Sequence, residues 1–118
     1  MDEKQAVDKF AALAQETRLK IFRLLVEAGD AGLNAGAIAE ALGLAPATLS
    51  FHVAQLARAG LVAARQESRY IYYSADYAAM DELIAYLAHN CCQGSTCLPK
   101  TNAVDTRAKR RAPAKTRN

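Results

Sequence analysis

Two short helices and the tight turn joining them constrain this chain more than any other feature, and they fall between Leu33 and Leu61. Asn34 can cap the first helix, whose apolar positions Ile38, Ala39, Ala41 and Leu42 recur at helical spacing. Gly43 then ends it, because glycine enters left-handed backbone without a Cβ clash. Pro46 opens the second helix, where a missing N–H does no harm. Leu49, Val53 and Leu56 share one side of it, Thr48, Ser50, Phe51 and Gln55 face elsewhere, and Gly60 closes it. Small polar residues near the start of a second helix make this the helix-turn-helix pattern, in which that helix enters the major groove of DNA. The same stretch also fits an ordinary antiparallel helix pair inside a small bundle.

The rest of the chain is short. Its 118 residues allow one domain with a modest core. Residues 3–14 read as a first helix with Val7, Phe10, Ala11 and Ala14 on one face. Residues 17–28 read as a second, apolar nearly all round and therefore central, through Leu19, Ile21, Phe22, Leu24, Leu25 and Val26. Gly29 and Gly32 bracket a turn. After Gly60 the period changes. Leu61, Val62 and Ala63 lead into a charged segment, and the run Tyr70–Tyr73 has strong strand propensity. Two strands joined at Glu67-Ser68 would form a hairpin, the wing that follows a reading helix. Arg65 and Arg69 flank its tip, where phosphate contacts are useful; a plain strand pair with solvated charges is the alternative.

A last helix, started by Asp76 or Asp81, runs to about His89. Its wide stripe of Ala79, Met80, Leu83, Ile84, Tyr86 and Leu87 exceeds what a nearly complete core needs. That excess points to a partner subunit, with the first helix adding to the same surface; packing back onto its own core is the alternative. The expected fold is thus mainly α with a small β-hairpin wing, a winged helix-turn-helix forming a homodimer through its terminal helices. Residues 1–92 make the DNA-binding and dimerisation domain, and residues 93–118 a cysteine-containing loop and flexible basic tail.

Charge is unevenly placed. Residues 1–99 carry eight Lys/Arg against eleven Asp/Glu, whereas residues 100–118 carry seven against one. The basic excess therefore lies in the tail, where it can add non-specific DNA affinity. Between Arg18 and Tyr73 six basic residues face four acidic ones, a modest positive balance around the reading helix. No run of eighteen apolar residues suggests a membrane span, and the charged start MDEKQAVDKF lacks an apolar signal region, so a cytoplasmic location is expected.

The candidate DNA-reading residues are Thr48, Ser50, Phe51, His52 and Gln55, with Arg65 and Arg69 from the wing. Ser50 and Thr48 suit base edges or phosphates, although Thr48 equally suits a first-turn cap. Phe51 can meet a thymine methyl group and Gln55 an adenine. His52 lies one step from the apolar stripe and fits a packed, hydrogen-bonded role as well as a DNA contact. Tyr70, Tyr72 and Tyr73 read as strand packing, with Tyr70 near enough to the tip for a phosphate. Arg18 and Arg23 read as solvated helix charges.

All three cysteines, Cys91, Cys92 and Cys97, fall within seven residues. An odd, bunched set is a poor disulfide framework and a better thiolate site. Gly94 lets the chain fold back so that three sulfurs can converge. Three soft thiolates suit a trigonal-pyramidal As(III) or Sb(III) centre, and also Pb(II) or Bi(III). His89 as a fourth donor would permit Zn(II) or Cd(II). No organic cofactor is implied.

The segments ALAQETRLKIFRLLVEAG and GLAPATLSFHVAQLARAGLVAARQESRYIYYSA resemble the arsenic-repressor (ArsR/SmtB) family of bacterial winged-helix metal sensors, over about residues 6–90. The resemblance implies a homodimer on a partly palindromic operator, released when a metal or metalloid binds. The family's reading-helix pattern falls on Thr48, Leu49, Ser50, Phe51, His52 and Val53. One departure is plain: the Cys-x-Cys pair that arsenic sensors carry in the first helix of the motif is absent from Ala35 to Leu42. The expected function is therefore a metalloid-responsive repressor using Cys91, Cys92 and Cys97. A Zn(II), Cd(II) or Pb(II) sensor is one alternative, but the last helix offers Asp76, Asp81, Glu82 and His89 without a paired-histidine pattern. A thiol redox or arsenate-handling protein is another, and no Cys-x-x-Cys before a helix supports it. Oxidation sensing by the same cysteines is a third.

Overall fold

The computed structural model describes residues 1–90; Cys91, Cys92, Cys97 and the basic tail lie outside the described residues. Met1–Tyr86 form one compact unit, and a second begins at Leu87. Among the described residues, five helices and three strands follow in the order α1 (Glu3–Leu13), α2 (Glu16–Ala28), β1 (Leu33–Asn34), α3 (Ala35–Leu42), α4 (Pro46–Arg58), β2 (Val62–Glu67), β3 (Tyr70–Ala75) and α5 (Tyr77–Ala88).

The punctuation of α3 and α4 is local chemistry. The Asn34 side chain accepts from the Ala37 N–H at 2.8 Å, filling one of the donors that a helix start leaves orphaned. Gly43 is left-handed at φ 66°, ψ 38°, and the Leu44 N–H returns to the Ala39 carbonyl at 2.9 Å. Pro46 stands in the first turn of α4. The two axes bend by 111°. That angle lies in the helix-turn-helix range and not in that of an antiparallel pair, which decides between the two arrangements the sequence allows. Thr48 does not cap α4: the N-cap is Ala45, with no side-chain hydrogen bond.

The core forms where α2, α3 and α4 meet, from Ile21, Phe22, Leu25, Ile38, Leu49, Val53, Leu56 and Leu61. The expected buried stripe of α4 is thus seen. Helix α2 is less enclosed than expected, because Leu19 stays 44% exposed and only Ile21, Phe22 and Leu25 are fully inside. On α1 the expected apolar face is formed, but it points to solvent and not into the core. Ala6 and Ala12 are buried, whereas Val7 is 56% exposed and Phe10 is also exposed.

The sheet is three-stranded and antiparallel, in the order β1-β3-β2, not a lone hairpin. Leu33 pairs Tyr73 and Asn34 pairs Tyr72. Along the wing, Val62 pairs Ala75 and Glu67 pairs Tyr70. The turn is therefore Ser68-Arg69, one residue later than expected, with Ser68 at φ 61° as a two-residue hairpin loop requires. Gly32 enters β1 at φ +72°, and a Cβ there would fall on the Tyr73 carbonyl oxygen.

Asp76, not Asp81, starts α5, its carboxylate accepting from the Ala79 N–H at 3.0 Å. The Tyr77 hydroxyl donates to the Val26 carbonyl at 2.8 Å and fixes the start of α5 to α2. Burial pushes that hydroxyl above its ordinary pKa, and the Asp30 charge adds to the effect; a hydrogen bond from the Gly29 backbone opposes it. The α5 stripe is divided. Ala79 and Leu83 are buried, while Ile84, at 51%, and Tyr86 are exposed.

Candidate nucleic-acid interface

Burying Leu49, Val53 and Leu56 turns the opposite side of α4 to solvent. Ala47, Thr48, Ser50, Phe51, Ala54 and Arg58 are exposed there, and Gln55 is half-buried at the flank. The expected reading residues are thereby gathered on one helix, with no carboxylate among them. Because Ala45 brings no capping side chain, the first-turn N–H groups of α4 are open to an anionic acceptor.

His52 sits at the edge of this face and is half-buried. Its Nδ1 lies 3.4 Å from Nη1 of Arg18 in α2, and the Phe51 ring meets its ring edge-on at 5.3 Å. Arg18 is accordingly not a solvated charge. Its Nε donates to the Ala12 carbonyl at 2.6 Å, satisfying an acceptor that the end of α1 leaves open, while its guanidinium reaches α4. Nothing local in the sequence marks this role, since its partner His52 is 34 positions away. Arg23 does behave as expected, in an exposed pair with Glu27 at 3.6 Å.

The two wing arginines part company. Arg69 occupies the tip and is exposed. Arg65 stands in mid-strand opposite Tyr72, not at the tip. Its Nε donates to Glu67 at 2.9 Å, its Nη2 donates to the Ala31 carbonyl at 3.0 Å, and its guanidinium lies 5.3 Å from the Tyr72 ring centre. Such a side chain ties the wing to the β1 turn, so its expected place beside the tip is corrected here. Tyr73 packs against the core as expected, and Tyr70 is exposed beside the tip. Among the described residues, no three His, Cys, Asp or Glu side chains gather in a way that could hold a metal ion. Asp76, Asp81, Glu82 and His89 thus do not form such a group within one chain. No single helix among the described residues is long and apolar enough to cross a membrane.

A helix-turn-helix domain model matches residues 13–65. The transcriptional activator HlyU of Vibrio cholerae is 33% identical over 91 residues, spanning 77% of this chain and 82% of that protein. The chain belongs to the same family of helix-turn-helix transcriptional regulators as HlyU, whose solved members include ArsR-like winged-helix proteins. The structure of reduced HlyU from Vibrio cholerae superposes with a TM-score of 0.60 at 33% identity, covering 76% of this chain and 92% of that one. An ArsR-like transcriptional regulator from Rhodococcus sp. RHA1 gives 0.68 at 25% identity, over 90% and 94%. A homodimeric winged helix-turn-helix DNA-binding domain from Mycobacterium bovis, a possible ArsR-family regulator, gives 0.59 at 30% identity, over 80% and 88%. These relatives are regulators of transcription, not enzymes.

Proposed function

We propose that this ArsR-like regulator is a repressor that binds operator DNA as a homodimer and is released when As(III) or Sb(III) binds Cys91, Cys92 and Cys97. The observation that carries DNA binding is the 111° helix pair, which buries Leu49, Val53 and Leu56 and offers Thr48, Ser50 and Phe51 outward. Gln55 and His52 flank that face, Arg69 reaches from the wing tip, and Arg65 holds the wing. Dimerisation is supported by exposed Val7 and Phe10 on α1 and Ile84 and Tyr86 on α5, and by the homodimeric relative. The effector assignment rests on three thiols within seven residues, beginning three residues after α5 ends. Three sulfurs supply what a pyramidal As(III) centre needs, without a fourth donor.

Placing the thiols beside a dimer helix gives a route to release. Reading helices must stand about 34 Å apart, one DNA turn, to enter successive grooves. Drawing residues 91–97 together around one centre would change how the two last helices meet and spoil that spacing. Arsenite should weaken operator affinity about 5- to 150-fold, the usual span of allosteric coupling. The test is fluorescence anisotropy with duplex from the protein's own promoter region, with and without arsenite. Cys91→Ser should bind DNA normally and ignore arsenite; release of that variant by arsenite would remove these cysteines from the sensing role. A second reading draws on HlyU, whose structure is that of a reduced form. Peroxide in place of arsenite tests a thiol-oxidation switch, and Zn(II), Cd(II) or Pb(II) tests the metal-ion versions.

A further inference from the structure

We infer that Phe51 reads the 5-methyl group of a thymine, so that each half-site contains a thymine recognised through its methyl and not through hydrogen bonds. This inference rests on the DNA-binding reading of α4 and names the chemistry of one contact within it. Ala47, Phe51, Ala54 and Arg58 recur at steps of four, three and four, and so line up along the exposed side of α4. Two of them are alanines with no reach. Arg58 stands in the last turn, far from the end of the helix that meets bases first. Phe51 is therefore the one long side chain on that line within the first two turns, and it is 58% exposed.

The ring also has a contact of its own with the fold. The ring meets His52 edge-on at 5.3 Å, and His52 is in turn 3.4 Å from Arg18 of α2. The Phe51 ring thus has one fixed neighbour, the His52 that α2 holds through Arg18, and its remaining surface is free for a base. In the major groove only thymine presents an apolar group; guanine, cytosine and adenine offer donors and acceptors that a phenyl ring would desolvate without replacement. Among the exposed residues of α4 before Arg58 there is no Arg or Lys, so the commonest contact to guanine is missing from the first three turns of this helix.

The experiment starts from duplexes selected out of a random library by the full-length protein, then replaces each thymine by uracil, one at a time. Uracil differs only by the missing methyl. One such replacement per half-site should weaken wild-type binding about fourfold, the value of one buried methyl group. Phe51→Ala should bind thymine and uracil versions of that position equally. Phe51→Gln, put through the same selection, should change the preferred base there, glutamine favouring adenine. Wild-type indifference to every uracil, or selection of the same thymine by Phe51→Gln, overturns the inference. Failure of the wild type to enrich any sequence would instead count against the DNA-binding reading itself, so the two failures are distinct.

Discussion

At the scale of single residues, two glycines three positions apart show how differently one residue type can be used. Gly29 and Gly32 both have positive φ, +85° and +72°. A Cβ on Gly29 would meet nothing within 4 Å, whereas one on Gly32 would strike the Tyr73 carbonyl. Gly29, at φ 85° and ψ −171°, lies in backbone that essentially only glycine adopts, so Gly29→Ala should cost the backbone strain alone, about 2 kcal/mol. Gly32→Ala should cost about 3 kcal/mol, because β1 must move off β3 as well; urea unfolding monitored by circular dichroism separates the two. Sequence alone shows that both glycines mark a turn, but not which one touches a neighbouring strand, since that depends on a residue 41 positions later. Tyr77 gives a pH-dependent case. Its pKa is raised in the fold, while in the unfolded chain it ionises near its ordinary value of about 10. Its contribution is complete below that value and is lost as pH rises through the higher folded pKa. Between pH 9 and pH 11 wild type should lose more stability than Tyr77→Phe, whose other titrating groups are the same.

Elements differ in how much of their placement is written locally. Asn34, Gly43 and Pro46 act within a few residues of themselves, so α3, α4 and the turn between them are legible in the sequence. The two-residue β1 is not, because only pairing with Tyr72 and Tyr73 makes Leu33 and Asn34 a strand. On α1 periodicity marks the apolar side of Val7 and Phe10 correctly, but not that the small Ala6 and Ala12 opposite are the ones the core encloses. The wing shows the consequence for function. Its existence is readable from Tyr70–Tyr73, but Arg65 and Arg69 look equivalent until the register is known. Arg69, at the tip, should contribute one phosphate contact; Arg69→Ala should lower affinity alike for all sequences and reduce the salt slope by about 1. Arg65→Ala should leave that slope unchanged and cost up to about 1 kcal/mol of stability, its bonds being partly solvated. Titrations at several salt concentrations, set beside unfolding curves, would check both. Equal slope changes for the two variants would show that Arg65 leaves Glu67 and Ala31 when DNA binds.

For the whole molecule, one subunit is not enough to explain its own surface or its task. Its core closes without Val7, Phe10, Ile84 or Tyr86, which remain in water as a folded domain would not leave them without use. One reading helix with a single aromatic ring and a few hydroxyl groups has too few base contacts for a specific site. Two copies on half-sites one turn apart would multiply that modest preference. The apolar residues of α1 and α5 and the weakness of a lone reading helix thus answer each other. Ile84 tests the link because it is 51% exposed, so Ile84→Glu adds a charge without opening a cavity. The variant should keep the wild-type helical circular dichroism spectrum yet sediment as a monomer at concentrations where wild type is a dimer, losing only the stability that association adds. Its affinity for a full operator should fall at least about a hundredfold through loss of the second contact, while its affinity for a single half-site should not change. A variant that stays dimeric and keeps the full operator would place the subunit contact elsewhere. It would also remove the reason for thiols that follow α5 in the sequence to control DNA binding.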